Sequence, residues 1–349
     1  MTKKENPTAS PAQTRSAVAG VATLSLAAAA TAAEAEDQFV AGLRSDDGEA
    51  NLEAWTKADR MDASVIPAVS ELITSKKPNV RRAADEALKA IVHAVGKTID
   101  PRGLGANVGR PDALGRMDPR QQVVGHLLSL LDGKRDLVEK TNALRLLSLI
   151  ATTDAVAKVS SLIHDPQLRE EAAFCLERIP GKASEEALLA ALPAAADDFK
   201  PRILAALGHR RADEAVGACI EAMQSSDTTI AMAGMKAWGR IGTSTGAEID
   251  FPELDSLSDW RKTEFDDSLL RYADAQAEKG NDGEAARIYT RALGRDEEHL
   301  QCAAIIGLAK IGTARAAASI FPKLSSENST VRITARQAWS RLAGGEGAA

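Results

Sequence analysis

A cationic side chain recurs at the fourth place of a short phrase that this chain writes repeatedly: Lys57 in AWTKAD, Arg178 in CLERIP, His209 in ALGHRR, Arg240 in AWGRIG, Lys310 in GLAKIG and Arg341 in AWSRLA. Guanidinium and ammonium groups aligned in this way offer anion recognition, a track along one edge for an acidic protein or peptide. Helix ends explain the same spacing without any partner, because Lys and Arg in a last turn complement the helix dipole. Both readings stand at this point, with Lys57, Arg178, Arg240, Lys310 and Arg341 as the candidate partner-binding residues.

The residue types that do bond-making chemistry are present without the spacing it needs. His93, His126, His164, His209 and His299 are scattered, with no HExxH or other metal-ligand pattern. Cys175, Cys219 and Cys302 show no CxxC spacing and read as buried thiols. Neither a GxSxG elbow nor an SxxK motif occurs. The acid pairs Asp197 with Asp198, Asp266 with Asp267 and Glu297 with Glu298 fall at turns or helix starts, where they favour the positive end of a helix dipole. The expectation is therefore a non-enzymatic protein with no cofactor and no metal.

The elements that carry the phrase repeat. Taking its second letter as a marker, Leu176, Leu207 and Trp238 follow one another at a constant interval, and Leu308 and Trp339 are separated by the same interval. A fixed period of this size is the mark of a solenoid, whose units bury their apolar faces only against each other. Within a unit, Val80, Ala84, Ala87, Leu88 and Ile91 share one helical stripe, as do Val331, Ala335, Ala338, Trp339 and Leu342. A second amphipathic segment precedes each stripe, for example VIPAVSELITS and AVGACIEAMQ, so each unit predicts a helical hairpin. Small residues at Ala172, Ala335 and Ala338 mark a seam of close helix approach. The aromatic share of 3% suits closely packed helices better than a β-sandwich.

The stretches IPAVSELITSKKPNVRRAADEALKAI, SLIHDPQLREEAAFCLERI and IFPKLSSENSTVRITARQAWSRLA resemble HEAT repeats of the short bacterial type. The matching residues are Pro67, Asn79, Val80 and Arg81; Asp165, Leu168 and Arg169; Pro322, Asn328, Val331 and Arg332. The resemblance implies an all-α, armadillo-like α-solenoid, and a ladder of turn acid and arginine between repeats, as Asp165 with Arg169. Glu139, and Ala231 after Thr229 and Ile230, stand where that ladder should break. Phycobilin lyases share such repeats, so the resemblance also admits a chromophore- or cofactor-attachment enzyme. A DNA-modifying helical-repeat enzyme is a third reading, for which a net charge of -6 is unsuited. Tyr272, Ala273, Gly280, Ala285, Ala286, Tyr289 and Ala292 resemble a tetratricopeptide unit.

Two interruptions and a leader complete the plan. Residues 1–35 combine a weakly basic lead with the uncharged run AVAGVATLSLAAAATAA and read as a signal peptide or a disordered tail. A signal would send the chain to the periplasm or outside the cell; without one it is cytoplasmic. HEAT-like repeats are expected over 36–96, 121–243 and 296–345, with a Gly/Pro-rich insertion loop at 97–120, an acidic linker at 244–265 and a tetratricopeptide-like helix pair at 266–295. No stretch beyond the leader is long and apolar enough to span a bilayer. The interspersed charge gives no field to gather nucleic acid. The functional expectation is a scaffold that binds a protein or peptide on the concave surface of its second helices.

Overall fold

A computed structural model of the chain describes residue 31 and residues 33–96, 118–243 and 258–343. The leader up to residue 30, the insertion over 97–117 and the linker over 244–257 lie outside the described residues. Among those described, every regular element is helical, as the periodicity demanded. The chain divides into two compact units, Met1–Ala151 and Thr152–Ala349.

In the first unit, α1 (33–44) and α2 (Gly48–Trp55) precede two hairpins, α3 (Ile66–Leu72) with α4 (Pro78–Gly96) and α5 (Pro119–Ser129) with α6 (Leu137–Ile150). Helix α1 runs through Ala35, so the boundary expected there falls inside a helix. Second helices pack on second helices, α2 on α4 and α4 on α6, while α3 packs on α5.

The second unit repeats the plan. Its first helices are α7 (Val156–Ser160), α9 (Lys182–Ala191), α11 (Val216–Met223), α14 (Asp282–Ala292) and α16 (Ala314–Ile320). Its second helices are α8 (Arg169–Arg178), α10 (Lys200–Arg210), α12 (Thr228–Ile241), α13 (Asp259–Glu278), α15 (Glu298–Ile311) and α17 (Ser329–Ala343). Each second helix lies against the next, which makes a continuous row. The phrase explains why. In the middle of the row its second letter is a core anchor, with Leu176, Leu207 and Leu308 wholly buried and Trp238 nearly so, while Trp55 and Trp339 at the same position are only partly covered. Each such side chain contributes about 1.5–3 kcal/mol by leaving water.

The small letters beside the anchor set the helix spacing. A Cβ added at Gly208 of α10 would lie 2.8 Å from Ala237 Cα on α12, and one at Gly239 of α12 would overlap the Ser268 carbonyl oxygen on α13. The third letter of one phrase thus packs on the first letter of the next. Ala172 and Ala335 are fully buried, as the seam reading required.

Polar contacts join successive turns at the other end of the hairpins. Turn residues Asp227 and Asn328 cap the second helices that follow: Asp227 Oδ1 accepts from the amides of Thr229 (2.7 Å) and Ile230 (3.2 Å), and Asn328 Oδ1 from those of Thr330 and Val331. The arginine ladder the resemblance implied is reduced to a single rung: Arg81 donates to the Ser75 and Lys76 carbonyls and Arg332 to the Ser326 and Glu327 carbonyls of their own turns. Arg169 reaches forward to Asp198 of the next turn (2.6 Å), while Asp165 accepts from the Gln167 amide of its own turn. Where the ladder was expected to break at Glu139, the charges are reversed: Arg135 joins Glu71 (2.9 Å) to Glu139 (3.2 Å), and Glu139 closes a capping box with Asp136. Near Ala231, Arg261 donates to Thr228.

The acidic linker is shorter than expected, because α13 begins at Asp259. Residues 259–265 belong to the helix since Phe265 fills the core at 1% exposure, whatever the acids around it. The tetratricopeptide-like pair is the hairpin α13–α14, turned through Gly280 with φ +80°.

Candidate functional site

The fourth letter of the phrase follows directly on the close-contact position held by Gly208 and Gly239. In the second unit this register lines a groove of about 630 Å³. His209 of α10, Arg240 of α12, Arg271 of α13 and Lys310 of α15 line it, one from each successive second helix. A second groove of about 560 Å³ shares Lys310 and Ile311 with the first and is also lined by Arg341 of α17.

Arg240 is half-buried and makes no ion pair within 4.0 Å among the described residues. Burial, first, and the neighbouring Arg271 guanidinium, second, lower its pKa from the ordinary guanidinium value, against the pull of Asp267, Glu177 and Glu264. It stays charged at neutral pH, since guanidinium is lost only far above it. Lys310 and Arg341 are exposed and likewise have no ion-pair partner among the described residues. Other cations nearby are engaged: Arg271 with Asp267 (2.8 Å), His209 with Glu177 (3.0 Å) and Arg211 with Glu278. The Arg211 guanidinium holds the Glu278 carboxyl below its usual 4.5.

Of the residues singled out in the sequence, Arg240, Lys310 and Arg341 come together along these grooves. Arg178 lies outside both, its guanidinium over the Phe174 ring of its own helix at 5.6 Å. Lys57 belongs to the first unit and pairs with Glu53 at 2.7 Å, one turn back on α2. Sequence reasoning misses Arg271 because the insert before it hides the register. The signal exists all the same: SLLRYA over 268–273 is another copy of the phrase, and Arg271 follows Arg240 at the interval that separates Trp238 from Leu207.

The sequence marks Tyr289 only as a helix-pair residue, and it proves to shape the groove. Its ring packs on Gly307 of α15, and its hydroxyl donates to Asp274 of α13 at 2.6 Å. It thereby bridges two second helices between which a whole further helix, α14, intervenes in sequence.

No family model matches the chain. No curated protein matches it either. Solved structures that align with it include an engineered protein at 19% identity, TM-score 0.36, covering 88% of this chain and 99% of that one. Human deoxyhypusine hydroxylase in complex with glycerol aligns at 17% identity, TM-score 0.34, covering 64% and 97%. Importin beta aligns at 13% identity, TM-score 0.43, over 92% of this chain, which spans about half (49%) of importin beta. The solenoid assignment rests on the hairpin row itself.

Among the described residues there is no group of three or more His, Cys, Asp and Glu side chains placed to hold a metal ion. No helix among them is long and apolar enough to cross a membrane. What the grooves present chemically is a mixed-charge surface: the carboxylates Asp274, Glu278 and Asp282 and the Tyr289 ring line the first groove beside its cations, and Arg240, Lys310 and Arg341 are the cations without a carboxylate in contact among the described residues. Those three suit anionic oxygen, through charge-assisted hydrogen bonds.

Proposed function

We propose that the protein is a non-enzymatic helical-repeat scaffold that holds an acidic segment of a partner protein along the second-helix face of residues 152–349. The observation that carries this reading is Arg240, a half-buried guanidinium on the groove wall without an ion-pair partner among the described residues. A buried cation costs free energy unless an anion compensates it, so a partner carboxylate gains more there than at an exposed lysine. The second groove extends the contact through Lys310 to Arg341, a longer track than a small molecule needs.

The test is a titration with a glutamate-rich peptide, followed by calorimetry at low and raised salt. Arg240→Gln combined with Lys310→Gln is expected to weaken binding about tenfold, with a smaller salt dependence. Affinity unchanged by the double substitution sinks the reading.

A further inference from the structure

We infer that the second groove takes an apolar side chain of the partner, flanked in the partner's sequence by carboxylates; this rests on the recognition reading above and specifies the segment recognised. The groove lies between α15 and α17. Ile306, Ile311 and Leu342 give it an apolar wall, and Lys310 and Arg341 are the ionisable side chains that line it among the described residues. No Asp or Glu among those residues lines it, in contrast to the first groove. The Glu278 carboxyl, lowered by Arg211 first and by Lys310 last, belongs to the first groove alone.

Lys310 and Arg341 stand in the last turns of their helices, where the helix dipole by itself favours a cation. Ile306 has no such explanation. It occupies the place just before the phrase, and its counterparts on α12, α13 and α17 are Lys236, Asp267 and Gln337. That place suits a solvated polar side chain: Lys236 pairs with Glu264 at 2.6 Å and Asp267 with Arg271 at 2.8 Å. Phe174, the apolar residue at the same place on α8, carries the Arg178 guanidinium over its ring. Ile306 is 47% exposed.

A lone exposed apolar side chain is ordinary on a protein surface. Ile306 is not alone, because Ile311 and Leu342 are only partly covered in the same groove. Leu342 also reaches across to the end of α15, its Cδ2 lying 4.0 Å from the position a Cβ would take at Gly312. An apolar side chain laid against these three leaves water, while Lys310 and Arg341 donate to the carboxylates that flank it.

The experiment uses three peptides of identical length and charge, built from glutamate and serine and titrated against the full chain by calorimetry. One has a central leucine with glutamates on either side, a second has that leucine moved to the end of a serine spacer, and a third has serine in its place. The flanked leucine is expected to bind about tenfold tighter than the serine twin. Ile306→Ser should erase that gain while leaving the affinity of the serine peptide, and so the fold, unchanged. Phe321→Ser, at an exposed ring outside the groove, should leave the gain intact. Lys310→Gln with Arg341→Gln should weaken the flanked-leucine and serine peptides alike, by about fivefold. Equal binding of the leucine and serine peptides, or a gain that survives Ile306→Ser, overturns the apolar anchor and leaves acidic-segment recognition standing. An equal gain for the flanked and the displaced leucine overturns the flanking carboxylates. Absence of binding by every peptide overturns both readings, and phosphatidylglycerol vesicles that bind the chain and release the leucine peptide replace the partner segment with a lipid surface.

Discussion

The Tyr289 hydroxyl donates to Asp274 Oδ1 at 2.6 Å, tying α14 to α13 from beneath the groove. Burial, then Asp274, pushes the phenol above its ordinary 10.0. A group whose folded pKa is raised contributes stability that is complete below the unfolded value and is lost as pH rises through the folded one. The protein should therefore lose stability as pH climbs above about 10, with Tyr289 ionising only as the second unit unfolds. An absorbance titration at alkaline pH checks this: the late tyrosinate step should vanish in Tyr289→Phe. A step that is early and reversible in the folded protein counts against it.

Gly307→Ala drives a Cβ into the Tyr289 ring. Tyr289 is 2% exposed and has nowhere to turn without losing Asp274, so the substitution should cost about 1–3 kcal/mol. Urea denaturation measures it, and Tyr289→Leu in the same background should recover part of the loss by removing the ring.

The seam makes a sharper contrast. Gly239→Ala would set a Cβ onto the Ser268 carbonyl oxygen, a backbone atom that moves only if α12 and α13 separate. Gly217 on α11 has nothing within 4 Å of the corresponding position. Gly239→Ala is expected to destabilise by about 2–3 kcal/mol. Gly217→Ala is expected to stabilise by about 0.5–1 kcal/mol through helix propensity and lost chain entropy. Equal midpoints for the two variants would show that the third letter of the phrase does not set helix spacing.

The hairpins are legible because burial imposes a period, and Leu176, Leu207 and Trp238 report it directly. The row of cations is legible for Arg240, Lys310 and Arg341 for the same reason, since one register position repeats with the helix. Which cations are engaged is not. Arg178 lies on Phe174 and Arg271 on Asp267, contacts one turn away on the same helix, and nothing in the phrase distinguishes them from Arg240. The ladder partner of Arg169 is Asp198, in the turn of the next hairpin, a pairing decided by how hairpins stack and not by the motif that contains Arg169. The role of Tyr289 is hidden because it depends on a glycine in another helix.

Arg210 yields a prediction about helix ends. It follows the phrase's basic letter on α10, and its guanidinium donates back to the carbonyls of Leu176 (3.1 Å), Glu177 (2.9 Å) and Ile179 at the end of α8. A further bond goes to the Gly181 carbonyl at 2.7 Å. These are carbonyls a helix terminus leaves without an internal partner, and the side chain is only 8% exposed. Arg210→Met keeps the aliphatic stem and strands those oxygens, for an expected loss of about 2–3 kcal/mol. Hydrogen exchange should quicken first at the α8–α9 junction. A loss spread evenly over the second unit would mean that Arg210 serves packing more than capping.

The three thiols separate by depth. Cys175 and Cys219 are fully buried on α8 and α11, and burial pushes each thiol up to about 12. At pH 8 their thiolate fraction is about one in ten thousand, and no reagent reaches them without local opening. Cys302 on α15 is only partly covered and accepts a long hydrogen bond from Thr334. Titrating the folded protein with an aromatic disulfide reagent should therefore modify Cys302 first, and the other two should follow only at the rate of unfolding. Because Cys175 is in the phrase on α8 and Cys219 sits in the layer of first helices against α12, their separate rates report where the row opens. Arg210→Met should then accelerate Cys175 selectively, since the α8 terminus it caps lies a single turn away, and equal acceleration of both would place the opening elsewhere.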